Sequence, residues 1–111
     1  MRLIIACMLS VALVGPSAAA ANITGLWKSE RGVLARVAEC GDAFCVTIVS
    51  GKFHGRTIGR FDGDNGSYEG RITDPNTDRH YAGSARVEGT SMIVRGCALK
   101  VFCKSQVWTK Q

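Results

Sequence analysis

Four cysteines in two short pairs are the residues of this chain best suited to covalent chemistry. Cys40 is followed closely by Cys45, and Cys97 by Cys103. Paired cysteines form disulfides in oxidising compartments or bind zinc as thiolates. Zinc sites are rare in exported proteins and usually place two to four residues between paired cysteines, a spacing that Cys97 and Cys103 exceed, so we expect disulfides and no resident metal.

A fifth cysteine, Cys7, lies in a segment typical of an export signal. Arg2 precedes an apolar run over 3–14, and the small residues of 17–21 provide a cleavage region. The run is shorter than the roughly 20 apolar residues that span a bilayer. We therefore expect residues 1–21 to be a signal peptide cleaved after Ala20 or Ala21, which places the protein in the periplasm or outside the cell.

Cleavage would leave four cysteines, which allow three disulfide pairings. Short loops favour Cys40 with Cys45 and Cys97 with Cys103, because each pair can close within a hairpin or turn. Such a loop stabilises by about 2 kcal/mol in the chain-entropy estimate. Loss of Arg2 would leave 13 basic against 9 acidic residues, a net charge of +4. These charges are interleaved rather than clustered, which argues against nucleic acid as a partner.

Several acidic residues could act in catalysis or cation binding, but turn chemistry accounts for them better. Asp74-Pro75-Asn76-Thr77-Asp78 could pair two carboxylates, although every residue in it favours a turn. A second acidic segment is predicted to be a loop and resembles a calcium-binding loop: Asp62-Gly63-Asp64-Asn65-Gly66. It lacks the spacing of glycine and glutamate that an EF-hand requires. His54 and His80 have no partner at a metal-binding spacing.

No nucleophile–base spacing, metal cluster or phosphate-binding loop is present, so we expect neither catalysis nor a cofactor. Polar loop residues and outward strand residues remain as candidate contacts with a partner. They are Arg56, Arg60, Asp62, Asp64, Arg71, Asp74 and His80. Arg56 and Arg60 share one face of a regular strand by period two, which lets them bind one anionic group together.

The rest of the chain must position these residues, and it reads as β-structure throughout. Short stretches rich in Val, Ile, Thr and aromatic residues alternate with glycine-containing turns. The predicted strands are Gly25–Ser29, Val33–Glu39, Phe44–Ser50, Arg56–Phe61, Ser67–Thr73, His80–Val87, Ser91–Gly96 and Ser105–Lys110. Eight short strands predict an all-β domain over 22–111, a small closed or nearly closed antiparallel β-barrel of lipocalin-like type. Closure would remove exposed strand edges and bring Trp27 and Trp108 together in the core.

A family resemblance covers nearly all of the predicted mature chain. It rests on five stretches in order: Gly25-Leu26-Trp27, Cys40 to Cys45, Gly70-Arg71-Ile72-Thr73-Asp74-Pro75, Tyr81, and Val94-Arg95-Gly96-Cys97 through Trp108-Thr109. Together they resemble the small exported bacterial proteins catalogued as domain of unknown function 2147. The resemblance implies a compact, mainly antiparallel β-fold and no particular reaction. Val46 stands where the family pattern has glycine, and the connection that follows is shorter.

Two kinds of non-enzymatic function fit these features. One is an exported interaction protein of the bacterial envelope that binds another protein through its outer surface. The other is a carrier that holds a small hydrophobic ligand or a cell-wall fragment in the barrel mouth. A weak metal-dependent hydrolase is a further alternative. An interior cavity of about 300 Å³ or more would favour the carrier, and a filled interior the interaction protein.

Overall fold

The computed structural model describes residues 22–98 and 102–111, so the predicted signal peptide lies outside the described residues. The eight strands are β1 (Gly25–Lys28), β2 (Leu34–Cys40), β3 (Ala43–Ile48), β4 (Thr57–Asp64), β5 (Ser67–Asp74), β6 (Arg79–Glu88), β7 (Ser91–Ala98) and β8 (Phe102–Lys110). Each predicted strand is present. In the described part of the chain, no helix is long and apolar enough to span a bilayer.

The strands form a closed antiparallel barrel in which each pairs with the next and β8 returns to β1. The predicted closure is thereby confirmed. The β1–β8 ladder has only two rungs, Trp27 with Lys110 and Lys28 with Thr109. Closure leaves no free sheet edge of the kind that promotes association between chains.

Two strand boundaries differ from the sequence prediction by three residues, and the others by two or fewer. The predicted loop over 62–66 is wrong, because β4 continues to Asp64 and only Asn65 and Gly66 form the turn. Both have positive φ, 53° and 86°, as a two-residue type I′ hairpin turn requires. The last strand begins at Phe102 rather than Ser105, since its ladder with β7 extends to the Ala98–Phe102 pair.

The core contains both tryptophans, as predicted. Trp27 is fully buried and Trp108 is 8 % exposed, and both belong to one apolar cluster. Ile23, which precedes β1, is also fully buried, and its carbonyl oxygen accepts a hydrogen bond of 2.9 Å from Trp27 Nε1. Ile23 therefore extends the apolar core beside Trp27.

Three inward-facing glycines pair across neighbouring strands. Gly70 on β5 lies opposite Gly83 on β6, which lies opposite Gly96 on β7. A side chain at Gly83 would meet Ile72 Cγ1 at 2.6 Å, and one at Gly70 would place its Cβ against the carbonyl of Arg60. The absence of a side chain at Gly83 in this glycine row therefore makes room for Ile72, and its absence at Gly70 lets the β4 backbone at Arg60 lie close to β5.

Candidate functional site

Both predicted disulfides form, and both lie on the outer face of the barrel. Cys40 bonds to Cys45 across the β2–β3 hairpin, and Cys97 bonds to Cys103 between β7 and β8. Their positions alternate with inward-facing core residues such as Val46. The disulfides therefore brace the sheet from outside and are not part of the apolar core.

One continuous outward row of cross-strand partners joins the two disulfides. It runs through Cys45, Arg60, Arg71, Ala82, Cys97 and Cys103 on strands β3 to β8. Arg60 and Arg71 are direct neighbours in this row, with no acidic residue between them. Like charges in directly opposed positions repel each other.

The two arginines line a recess of about 300 Å³ on the outside of β4, β5 and β6, which we call the arginine recess. Its lining residues are Thr57, Gly59, Arg60, Arg71, Thr73 and His80. Thr73 Oγ1 lies 2.9 Å from His80 Nδ1, a hydrogen bond that fixes the imidazole ring. Three of the predicted contact residues (Arg60, Arg71 and His80) thus meet, and every ionisable side chain in the lining is basic.

Arg56 does not join this group. Its guanidinium is 2.7 Å from the carboxylate of Asp78, in the turn between β5 and β6. A bulge interrupts the period-two alternation on which the Arg56–Arg60 pairing was based, because Val46 pairs with Gly59 while Thr47 pairs with Thr57. Arg60 instead faces the first disulfide, with its Nη1 3.6 Å from Cys40 Sγ.

A second and larger recess crosses the outward faces of β4 to β8, and we call it the outer groove. Its volume is about 930 Å³. Small side chains form much of its lining, with acidic residues on β4 and β5 and basic residues on β6 and β7. The lining side chains that face outward are Asp62, Ser67, Glu69, Ala82, Ser84, Arg86, Ile93, Arg95 and Ser105.

The strand register explains the charge pattern of this groove. One outward row pairs Asp62 with Glu69, Glu69 with Ser84, Ser84 with Arg95, and Arg95 with Ser105. Within the described residues Asp62, Glu69 and Arg95 make no salt bridge, whereas Arg86 is paired with Glu88 at 2.9 Å. The groove therefore presents unpaired acidic groups on one side and an unpaired guanidinium on the other.

The remaining acidic candidates, Asp74 and Asp64, lie in or beside turns. Asp74 Oδ1 accepts a hydrogen bond from the amide of Asn76, and Asp78 has a φ of 60°, so the turn interpretation of this segment is confirmed. Asp64 ends β4 beside the Asn65–Gly66 turn. Among the described residues, no group of three or more His, Cys, Asp or Glu side chains is arranged to hold a metal ion.

Sequence reasoning missed Glu69, Ser84, Arg95 and Ser105. None belongs to a motif with an assigned chemistry, although Arg95 and Ser105 lie in the last family stretch, and each reaches the groove only through the pairing register of its strand. The available signal was the alternation in Arg95-Gly96-Cys97 and Ser84-Ala85-Arg86, which placed these residues on outward faces without indicating which strands they would adjoin.

Comparison with known proteins extends this description. Residues 54–110, slightly more than half of the chain, match a family described as an uncharacterized protein conserved in bacteria (DUF2147). The chain belongs to the DUF2147 family. No curated protein and no solved structure matches it. The segment shared with DUF2147 proteins contains β4 to β8, and with them the lining residues of the outer groove and the arginine recess.

Proposed function

We propose that this DUF2147 protein is an exported, non-enzymatic interaction protein that binds an extended polypeptide segment of a partner protein in the outer groove. The observation that carries the proposal is the groove itself, about 930 Å³ across five strands, with separated charges that make no salt bridge among the described residues. Large recesses with a few convergent polar groups are the usual places of recognition. Export is supported by the two disulfides, which persist in oxidising compartments.

The lining favours an extended peptide by its size and charge. Ser67, Ser84 and Ser105 leave room above the sheet and offer hydroxyl groups to a partner's backbone. The carboxylates of Asp62 and Glu69 complement a basic side chain, and Arg95 complements an acidic one about two strands away. At 4.7–4.9 Å between strands, those sites are about 10 Å apart, the span of some three extended residues.

The position of the groove separates this proposal from the carrier alternative. Most of the side chains that line the groove face outward, whereas Ile23 is fully buried beside Trp27 in the core. A carrier would need its main recess in the barrel mouth. Native mass spectrometry of protein purified from the periplasm tests the carrier directly, because a retained small molecule adds a defined mass.

Selection from a library of displayed peptides tests the groove. Wild-type protein is expected to select peptides with a basic and an acidic residue about three positions apart. Arg95→Glu should lose the acidic preference, because the groove would then be acidic on both sides, and Asp62→Lys should weaken the basic one. Arg36→Glu is the matched control, since Arg36 is exposed on β2 away from the groove. Identical selections by Arg95→Glu and wild type would exclude the groove as the binding site.

Two further measurements test export and the absence of catalysis. Intact mass of the protein recovered from the periplasm should correspond to cleavage after Ala20 or Ala21. A panel of hydrolase and oxidoreductase assays, with and without divalent metal ions, should give no turnover. Turnover that is lost on substituting Asp74 or His80 would instead establish the hydrolase alternative.

A further inference from the structure

We propose that Arg60, Arg71, Thr73 and His80 form a binding site for a single tetrahedral oxyanion of the phosphate class. The arginine recess lies beside the outer groove, but its lining residues are different. The proposal therefore stands independently of the peptide-binding function.

The first observation is an uncompensated pair of like charges. Arg60 and Arg71 are direct cross-strand partners, a placement that destabilises a sheet unless something offsets the repulsion. Among the described residues Arg71 has no salt-bridge partner. The one salt-bridge partner of Arg60 among these residues is Asp42, at 3.9 Å, whose side chain is fully exposed, and the other contact of its guanidinium is with the neutral disulfide, 3.6 Å from Cys40 Sγ. An exposed ion pair at that distance contributes little, so a bound anion would relieve the repulsion.

The second observation is the set of hydrogen-bond donors around the recess. Each guanidinium carries five N–H groups in a planar arrangement that matches two oxygens of a phosphate. The hydrogen bond between Thr73 Oγ1 and His80 Nδ1 leaves His80 Nε2 without a partner in the described structure. The side chains of Arg60, Arg71 and His80, on three neighbouring strands, can thus contact one oxyanion from several directions.

The set of donors around the recess favours a phosphate group over a carboxylate. The recess volume of about 300 Å³ leaves room for a phosphate and a small attached group. A carboxylate has two oxygens in one plane and could satisfy one guanidinium. A phosphomonoester presents three terminal oxygens in a tetrahedral arrangement, which suits two guanidinium groups and an imidazole together.

Neighbouring acidic residues limit the site to a single anionic group. Asp62 and Glu69 are the next outward residues after Arg60 on β4 and Arg71 on β5, about 7 Å along each strand. Their carboxylates would repel a chain of phosphates that continued in that direction. The expected ligand is therefore a molecule with one phosphate group, either free in solution or exposed on a lipid headgroup.

The test is titration of ¹⁵N-labelled protein with inorganic phosphate and with glycerol phosphate, at constant ionic strength. We expect saturable shifts of the Thr73 and His80 amide signals. Arg71→Gln and Arg60→Gln should each weaken binding about tenfold, since each removes a charge-assisted contact. Arg71→Lys should give an intermediate loss, because it keeps the charge but not the paired N–H groups. Arg36→Gln, with the same charge change on β2, should leave binding unchanged.

Flotation with vesicles that contain phosphatidic acid, compared with pure phosphatidylcholine vesicles, distinguishes the two sources of phosphate. Binding to soluble phosphates that is lost in Arg71→Gln supports a free ligand, and binding only to phosphatidic acid vesicles that is lost in Arg71→Gln supports a lipid headgroup. Equal weakening by Arg36→Gln and Arg71→Gln would reveal charge attraction alone and overturn the site. Failure of all three probes to bind would also overturn it. Thermal melting of each variant confirms that the barrel is folded.

Discussion

Lys110 pairs with Trp27 across the β1–β8 ladder, and its ammonium group lies 5.1 Å from the centre of an indole ring that is fully buried. The same Nζ donates a hydrogen bond of 2.8 Å to the carbonyl oxygen of Thr24. Lys110 thus contacts the N-terminal segment and the core at once, at the place where the barrel closes.

Replacing Lys110 by Met should lower the free energy of unfolding by about 1–2 kcal/mol, because the cation–π contact and one hydrogen bond are lost. Urea unfolding followed by tryptophan fluorescence measures the change. Lys104→Met is the control, since Lys104 is exposed on the same strand. Equal stability of the two variants would show that the Lys110 contacts contribute nothing.

Replacing Trp27 by Ala should lower the free energy of unfolding by about 3–5 kcal/mol through loss of buried apolar area and formation of a cavity. Trp27→Phe retains most of the ring but removes the donor to Ile23, so its loss should be smaller. Denaturant unfolding followed by circular dichroism provides both values. A Trp27→Ala protein as stable as wild type would contradict the closed barrel.

The glycine row allows a matched comparison. Alanine at 70 would force its Cβ against the Arg60 carbonyl, which is backbone and cannot move aside, whereas alanine at 96 would meet Ile72 Cδ1 at an ordinary 3.7 Å. Gly70→Ala should therefore cost at least about 3 kcal/mol or prevent folding. Gly96→Ala should change stability by no more than about 1 kcal/mol. Thermal unfolding of the pair measures the difference, and similar melting temperatures would contradict the close approach of β4.

The side chain of Glu30 accepts a hydrogen bond from a β8 amide that lies beyond the end of the β1–β8 ladder. The β1–β8 ladder has only two rungs, and the Val107 amide donates to Glu30 Oε2 at 2.7 Å. In Glu30→Ala, hydrogen exchange at the Val107 amide should accelerate about tenfold. Glu39→Ala, which changes an exposed glutamate on β2, should leave that amide unaffected. An unchanged rate of hydrogen exchange at the Val107 amide in Glu30→Ala would show that another group protects this amide.

Reduction of the disulfides should destabilise the barrel without dismantling its core, because both bonds lie on the outer face. Each short loop contributes about 2 kcal/mol in the chain-entropy estimate. We expect a lower melting temperature after reduction, with tryptophan fluorescence still typical of buried rings at low temperature. Non-reducing peptide mapping should find Cys40–Cys45 and Cys97–Cys103 and no free thiol in residues 22–111. Exposed tryptophans in the reduced protein would mean that the disulfides hold the core together.

The strands and the barrel follow from the sequence, but the recesses depend on register. Alternation and glycine-containing turns predict the eight strands because burial of one face imposes period two. The opposition of Arg60 and Arg71 could not be derived, since a slip of one residue in β4 or β5 would move every side chain to the other face. The prediction that Arg56 and Arg60 share one strand face was wrong, because the bulge at Ile58 adds one residue between them. The Asn65-Gly66 pair, by contrast, was a readable hairpin signal that the broader loop prediction obscured.

The two-rung β1–β8 ladder has a consequence for association between copies of the chain. Every other ladder joins strands adjacent in sequence, so either terminal strand, β1 or β8, can leave without breaking the order of the remaining sheet, and β1 is held by fewer cross-strand pairs than β8. Departure of β1 would expose the edges of β2 and β8 and a vacancy shaped for Trp27. A β1 segment from a second molecule fits that vacancy as well as the original. Domain swapping of β1 is therefore one route to dimers that this topology leaves open at high protein concentration.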